Sequence, residues 1–197
     1  MSAYRHGRWR GFGSARDQNE AAYTAVAAAV VVERASGQVR VLRVVATDDA
    51  GEMVHPEGVR HPIEGGIVQA TSWTRTEAVR CDRTRLTSRD WSSDPLLTCP
   101  EGPAAVAVGL VDRPGPPCLG TGEAAQGPTV AALAHAVATA TRVCIHELPL
   151  TPARVLAALQ PATAQPSSAT HPASVAPDSG SGSSSGSAPA TGSGTSR

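Results

Sequence analysis

The stretch from Tyr23 to Thr47 constrains the fold more than any other part of this 197-residue chain. Tyr23–Glu33 (YTAVAAAVVVE) is apolar and valine-rich, Ala35-Ser36-Gly37-Gln38 offers a turn, and Val39–Thr47 (VRVLRVVAT) mixes apolar with basic residues. The alanines alone would suit a helix. The valines decide otherwise, because a β-branched side chain loses χ1 freedom in a helix and packs well on a pleated surface. Two such runs around a glycine turn predict a β-hairpin.

The rest of the chain must pack on that hairpin. Asp48-Asp49-Ala50-Gly51 and His55-Pro56-Glu57-Gly58 read as breaks. Pro62–Arg75 places Ile63, Ile67, Ala70 and Trp73 near helical spacing, although Gly65 and Gly66 weaken it. Glu77–Cys81 and Arg85–Thr87 suggest a short hairpin about Asp82-Arg83-Thr84. Ala104–Val111 (AAVAVGLV) predicts a buried strand, ended by the proline-rich segment Asp112–Pro117. Thr129–Arg142 predicts a helix with Val130, Leu133, Ala134 and Val137 on one face. Thr151-Pro152 opens a short helix through Leu159. Strands and helices alternate without a regular βαβ repeat, so the fold class is α+β, with mixed hairpins and helices. Aromatic residues are only 3% of the chain, so alanine, valine and leucine must fill the core. From Gln160 onward Pro, Ala, Ser, Thr and Gly dominate. Residues 160–197 lack the apolar surface to offset their ordering entropy and read as a disordered tail, leaving 1–159 as the folded part.

Several function classes drop out. Formal net charge is zero and the 17 basic residues are all arginine. The N-terminal arginines (Arg5, Arg8, Arg10, Arg16) are followed at once by Asp17 and Glu20, which argues against nucleic-acid binding. Cys81, Cys99, Cys118 and Cys144 form no C-x-x-C pair, and the six histidines show no ligand spacing, so a metal held by these side chains is not expected. Two disulfides stay open, with four reduced thiols in an intracellular protein the simpler reading. No apolar stretch is long enough to insert in a membrane.

Chemistry concentrates in Leu119-Gly120-Thr121-Gly122-Glu123-Ala124-Ala125-Gln126-Gly127-Pro128-Thr129. Glycines flank one carboxylate just before a predicted helix, and Pro128 suits that helix's first turn. No lysine or arginine within the motif neutralises Glu123, which makes it a candidate general base. Read alone, it is better explained as an exposed acid at a helix-entry turn, favoured by the helix dipole. The segment also fits a loosened G-x-G-x-x-A dinucleotide pattern, but that pattern must follow a strand directly, and Pro114, Pro116 and Pro117 intervene.

The loop and its surroundings resemble the C-terminal molybdopterin-binding region of the large subunit of molybdenum hydroxylases. That family includes xanthine dehydrogenase, aldehyde oxidase and isoquinoline 1-oxidoreductase. The resemblance rests on the order of Gly7-Arg8-Trp9-Arg10-Gly11-Phe12-Gly13, Ser36–Val41, Asp49-Ala50-Gly51, Ile63-Glu64-Gly65-Gly66-Ile67-Val68-Gln69, Thr87–Trp91, Gly120–Thr129 and Leu148–Pro152. It implies a molybdenum–molybdopterin cofactor shared with other large-subunit sequence, and iron–sulfur clusters on a partner subunit. It places Glu123 beside the metal as general base, with Gly122 and Ala124 at the cofactor, and Glu123 facing a concave surface. The implied reaction is hydroxylation of N-heteroaromatics, or oxidation of aldehydes, with water as oxygen source. Thr129 would begin a helix whose free N–H groups face the same region.

Departures from the family pattern qualify this. Pro62 stands where the family has a cofactor-bonding Gln, His55 where Asn is usual, and Asp94 where Tyr is common. The reading is therefore a portion of an enzyme, inactive without the remaining cofactor-binding part. The alternative is a non-catalytic remnant or assembly module. Expected partners are the remaining large-subunit portion, the iron–sulfur subunit and a small-molecule substrate. The expected location is cytoplasmic, or periplasmic if exported as a complex.

Overall fold

The hairpin forms where the valines require it. In the computed structural model, which describes residues 4–5, 8–18 and 22–160, strand β3 (Tyr23–Glu33) pairs antiparallel with β4 (Val39–Asp49). Burial alternates along both strands, with Val26, Ala28, Val30 and Val32 inward on β3 and Val39, Val41, Val44 and Ala46 inward on β4. A bulge between Ala29 and Val30 shifts the register. Gly37 closes the turn at φ +71°, where a Cβ would lie 2.3 Å from the Pro152 carbonyl oxygen.

Two strands precede the hairpin, β1 (Tyr4–Arg5) and β2 (Arg8–Gln18), where the residue pattern predicts none. A fifth, β5 (Val106–Leu110), follows it. The sheet order is β1-β2-β3-β4-β5, antiparallel throughout except for the parallel β4–β5 pair. The pattern of Ala104–Val111 predicts a buried strand. Within it only Val108 is buried, because among the described residues β5 lies at the sheet edge with no further strand beside it.

Helix α1 (Pro56–Arg75) starts earlier than Pro62 and runs through it. Proline inside a helix removes one N–H and crowds the carbonyl of the residue four back, here Gly58. Ile63, Ile67 and Ala70, each fully buried, hold the helix against that cost, while Trp73 is 36% exposed and does not join the buried face. The expected hairpin at 77–87 reduces to one bridge, Cys81 with Leu86, around an Asp82 turn.

Helix α2 (Gln126–Thr141) lies across β2 and β3 and against α1. Its approach to β2 is set by two glycines. A Cβ at Gly11 would sit 1.8 Å from the Ala136 carbonyl oxygen, and one at Gly13 would sit 2.3 Å from that of Ala132. Ala132, Ala136 and Ala140, one turn apart on the helix, fill the groove that the glycines leave. Helix α3 (Pro152–Leu159) starts at Thr151, whose hydroxyl accepts from the Arg154 amide at 3.3 Å, and Val155 anchors it in the core. The core contains Val26, Val30, Val32, Val44, Ile63, Ile67, Leu133 and Val137, and none of Tyr23, Trp73 and Trp91 is buried in it. The expected tail lies outside the described residues.

Candidate functional site

The Gly120–Ala125 loop owes its position to the turn at the end of β4. Gly51 adopts φ +76°, and a Cβ there would meet the Pro117 carbonyl oxygen at 2.3 Å, so only glycine lets the two segments touch. Asp49 Oδ1 accepts from the Gly51 amide at 3.1 Å and from Arg113 at 3.2 Å. The Leu119 amide donates to the Ala50 carbonyl at 2.9 Å, and the Cys118 thiol donates to the Glu52 carbonyl at 2.9 Å. The Glu52 and Arg113 amides donate to the carbonyls of Pro116 and Gly51, both at 3.3 Å. Thus Asp49-Ala50-Gly51 straps down a proline-rich segment that has no regular structure of its own.

From that strap the chain turns inward. Thr121 is buried, and Ala124 packs with Ala22, Ala50 and Leu119 in a small apolar cluster. Ala125 joins the main core. Buried Gly66 of α1 faces this point: a Cβ there would lie 3.6 Å from Gln126 and 3.8 Å from Ala125. The Gln126 side-chain amide donates to Gln69 Oε1 at 3.1 Å. Three of the sequence landmarks, Asp49–Gly51, Ile63–Gln69 and Gly120–Gln126, therefore meet in space. The Thr87–Trp91 landmark does not join them, and Trp91 is 81% exposed.

Gly122 and Glu123 are the exposed crest of the loop. A Cβ at Gly122 would meet nothing within 4 Å. The Glu123 carboxylate has no hydrogen bond or ion pair among the described residues, and the amides of Gly122 and Glu123 find no acceptor there. Ala124 differs from its two neighbours. Its methyl group is turned into the protein, and its amide donates to the Thr121 carbonyl at 3.4 Å. Contact between Ala124 and a bound group would have to run through the backbone.

One expectation needs correcting. Helix α2 starts at Gln126, not Thr129. The Gln126 and Thr129 amides are used by the carbonyls of Glu123 and Ala125, and Pro128 has no N–H, so of the first-turn donors only Gly127 lacks an acceptor among the described residues. The cavities of about 640, 510 and 410 Å³ that described residues line are walled by residues other than Glu123.

Two buried polar groups stand out. The Thr24 hydroxyl donates to Asp48 Oδ1, while Asp48 Oδ2 and the Thr129 hydroxyl, both inaccessible, have no partner among the described residues. Burial, opposed by the Thr24 hydrogen bond and reinforced by the negative charge of Asp49, raises the Asp48 carboxyl above its ordinary range. All four cysteines are free and exposed. No group of three or more His, Cys, Asp or Glu among the described residues suits a metal, and none of their helices is long and apolar enough to cross a membrane.

Comparison with known proteins names the class. Residues 2–98 match the molybdopterin cofactor-binding domain family. A nicotinate dehydrogenase subunit from Pseudomonas putida is 43% identical over 172 residues, spanning 83% of this chain and 14% of that protein. A stretch of that length must include the Glu123 loop. Quinoline 2-oxidoreductase from Pseudomonas putida 86 superposes over 70% of this chain and 18% of its own, at 29% identity and a TM-score of 0.66. The aldehyde oxidoreductase of Desulfovibrio gigas does so over 70% and 15%, at 26% identity and a TM-score of 0.63. The chain belongs to the molybdenum hydroxylase family, whose cofactor is molybdenum–molybdopterin, and spans a small fraction of the length of these relatives.

Proposed function

We propose that this chain supplies the base-bearing loop of a molybdenum hydroxylase, with Glu123 as general base and Gly122 and Ala124 forming the thin backbone against which the cofactor lies. The observation that carries the reading is the pairing of an unpartnered carboxylate with a loop otherwise fixed at every turn. Thr121, Ala124 and Ala125 are buried and the strap at Asp49–Glu52 is hydrogen-bonded, yet the Glu123 side chain is committed to nothing among the described residues. The donor set suits the group: one carboxylate to accept a proton, two free amides to donate to oxygen, and no bulk at Gly122.

When bound, the molybdenum cofactor supplies the two-electron redox chemistry. The part left to this chain is acid–base and positional. Glu123 accepts the proton of the water-derived oxygen that attacks an electron-poor carbon, in an N-heteroaromatic ring or an aldehyde. A positioned base contributes roughly 10²–10⁴-fold to such a step. The Asp49–Gly51 strap and the Gly66 contact fix where that carboxylate stands. The rest of the pocket wall, including the concavity over Glu123, comes from further large-subunit sequence, and iron–sulfur clusters from a partner subunit. The complex works in the cytoplasm or is exported whole.

Replacing Glu123 by Gln in the assembled enzyme keeps the carbonyl oxygen but removes proton acceptance. Cofactor content stays the same and turnover falls by about 10²–10⁴-fold. Near-normal turnover refutes the assignment. Pro62 favours the second reading, a non-catalytic remnant or assembly module, because proline offers no side-chain amide where the family pattern has one. Molybdenum that fails to co-purify when the chain is produced together with the further large-subunit sequence decides for the remnant.

A further inference from the structure

A cleft of about 510 Å³ opens where the end of α1 meets the single 3₁₀ turn Cys99–Glu101 and the start of β4. Gln38, Arg40, Arg75 and Glu101 line it, together with Gly102, Pro103 and Ala104. Arg75 uses one guanidinium nitrogen to donate to the Glu101 carbonyl at 2.6 Å. Among the described residues it makes no other hydrogen bond and no ion pair, and Arg40 makes neither. The one acid in the wall is turned to another task. Glu101 Oε2 accepts from the Thr98 amide at 3.1 Å and from the Thr98 hydroxyl at 2.7 Å, closing a capping box. Those bonds, helped by the positive charge of Arg75, hold its carboxyl below the usual carboxylate range, and its hydrogen bonds go to Thr98 and not to a guanidinium. Burial holds Arg75 below its usual value, with Glu101 opposing and the positive charge of Arg40 adding to the depression.

Two like charges line one cleft with a single acid, Glu101, in its wall, and neither guanidinium forms an ion pair with it. Each guanidinium presents a planar fork of donors matched to a tetrahedral oxyanion. We propose that the Arg40–Arg75 cleft binds a phosphate group, as the free anion or as a phosphate monoester. A bound phosphate offsets the repulsion between the two arginines and takes up the Arg75 donors left idle. The cleft shares no lining residue with the Glu123 loop, so this site stands whether or not Glu123 is a base.

The test uses the full chain at fixed ionic strength, titrated by calorimetry and by NMR of the arginine side-chain N–H groups. The probes are inorganic phosphate, glycerol phosphate and, as control, chloride. Saturable one-to-one phosphate binding that shifts Arg40 and Arg75 together is expected. Arg75→Gln weakens it by roughly tenfold or more, the loss of one charge-assisted contact. Arg40→Gln, at an exposed position, does the same without risk to folding, and Arg43→Gln leaves it unchanged. Tighter binding of glycerol phosphate assigns the remaining space to an organic group, and equal binding assigns the site to the free anion. Phosphate that binds no better than chloride, or equally well to both variants, overturns the proposal.

Discussion

The contact between α2 and β2 and the crest at Gly122–Glu123 are both made of the smallest residues, and they use smallness in opposite ways. At Gly11 and Gly13 the missing side chain is replaced at once by the helix backbone, so no room is left. At Gly122 the missing side chain opens onto empty space. The first arrangement yields cohesion, since close-packed contacts are many and each added atom must displace backbone. The second yields access: a carboxylate raised on a fixed loop, with little mass beside it to block an approaching group. A glycine-rich segment is thus structural or functional according to what lies within a few ångströms of it.

That contrast can be broken from either side. The largest effect should come from Gly13→Val, or from the same change at Gly11. Either side chain would overlap the α2 backbone, and overpacking of a tight core already costs about 1–3 kcal/mol where only side chains must move. Loss of a cooperative thermal transition by circular dichroism is the expected result, and a melting point within a few degrees of the parent would refute the packing account. Glu123→Gln, by contrast, should leave the melting of the chain unchanged within about 0.5 kcal/mol, while in the assembled enzyme it carries the turnover loss stated above.

Gly51→Ala is intermediate. It imposes a side chain on a positive φ and pushes it against the Pro117 carbonyl, at a cost of about 1–3 kcal/mol. Faster proteolytic nicking near Cys118 than in the parent is the sign that the strap, and not the core, has loosened. Asp48→Asn sharpens the account through pH. The folded carboxyl titrates above its unfolded value, so the folded state binds the extra proton, and stability gained on acidification is lost again as pH rises through the folded value. The variant should therefore be no less stable than the parent at neutral pH. The difference between the two should shrink as pH falls toward the unfolded carboxylate value. A parent that gains on the variant as pH rises contradicts this. The smallest effect is Gly122→Ala, with a stability change under about 1 kcal/mol by chemical denaturation.

Residue order was enough for some of this. The β3–β4 hairpin, the face of α1 carrying Ile63, Ile67 and Ala70, and the Thr151 cap were all readable, because each depends on side chains close in sequence and on a fixed period. The ordered landmarks likewise led to the molybdenum hydroxylase family. What residue order could not give was distance. Strand β2 escapes a reading of the residues alone because its glycines look like breaks until α2 is seen lying against them. The parallel β5 edge, the strap from Asp49–Gly51 to Pro117, and the meeting of Gly66 with Gln126 all join residues far apart in the chain. Whether a glycine is filled or open, and whether Glu123 is paired or free, is fixed by such long-range neighbours. Only the folded arrangement decides them, since the same local sequence is compatible with either surrounding.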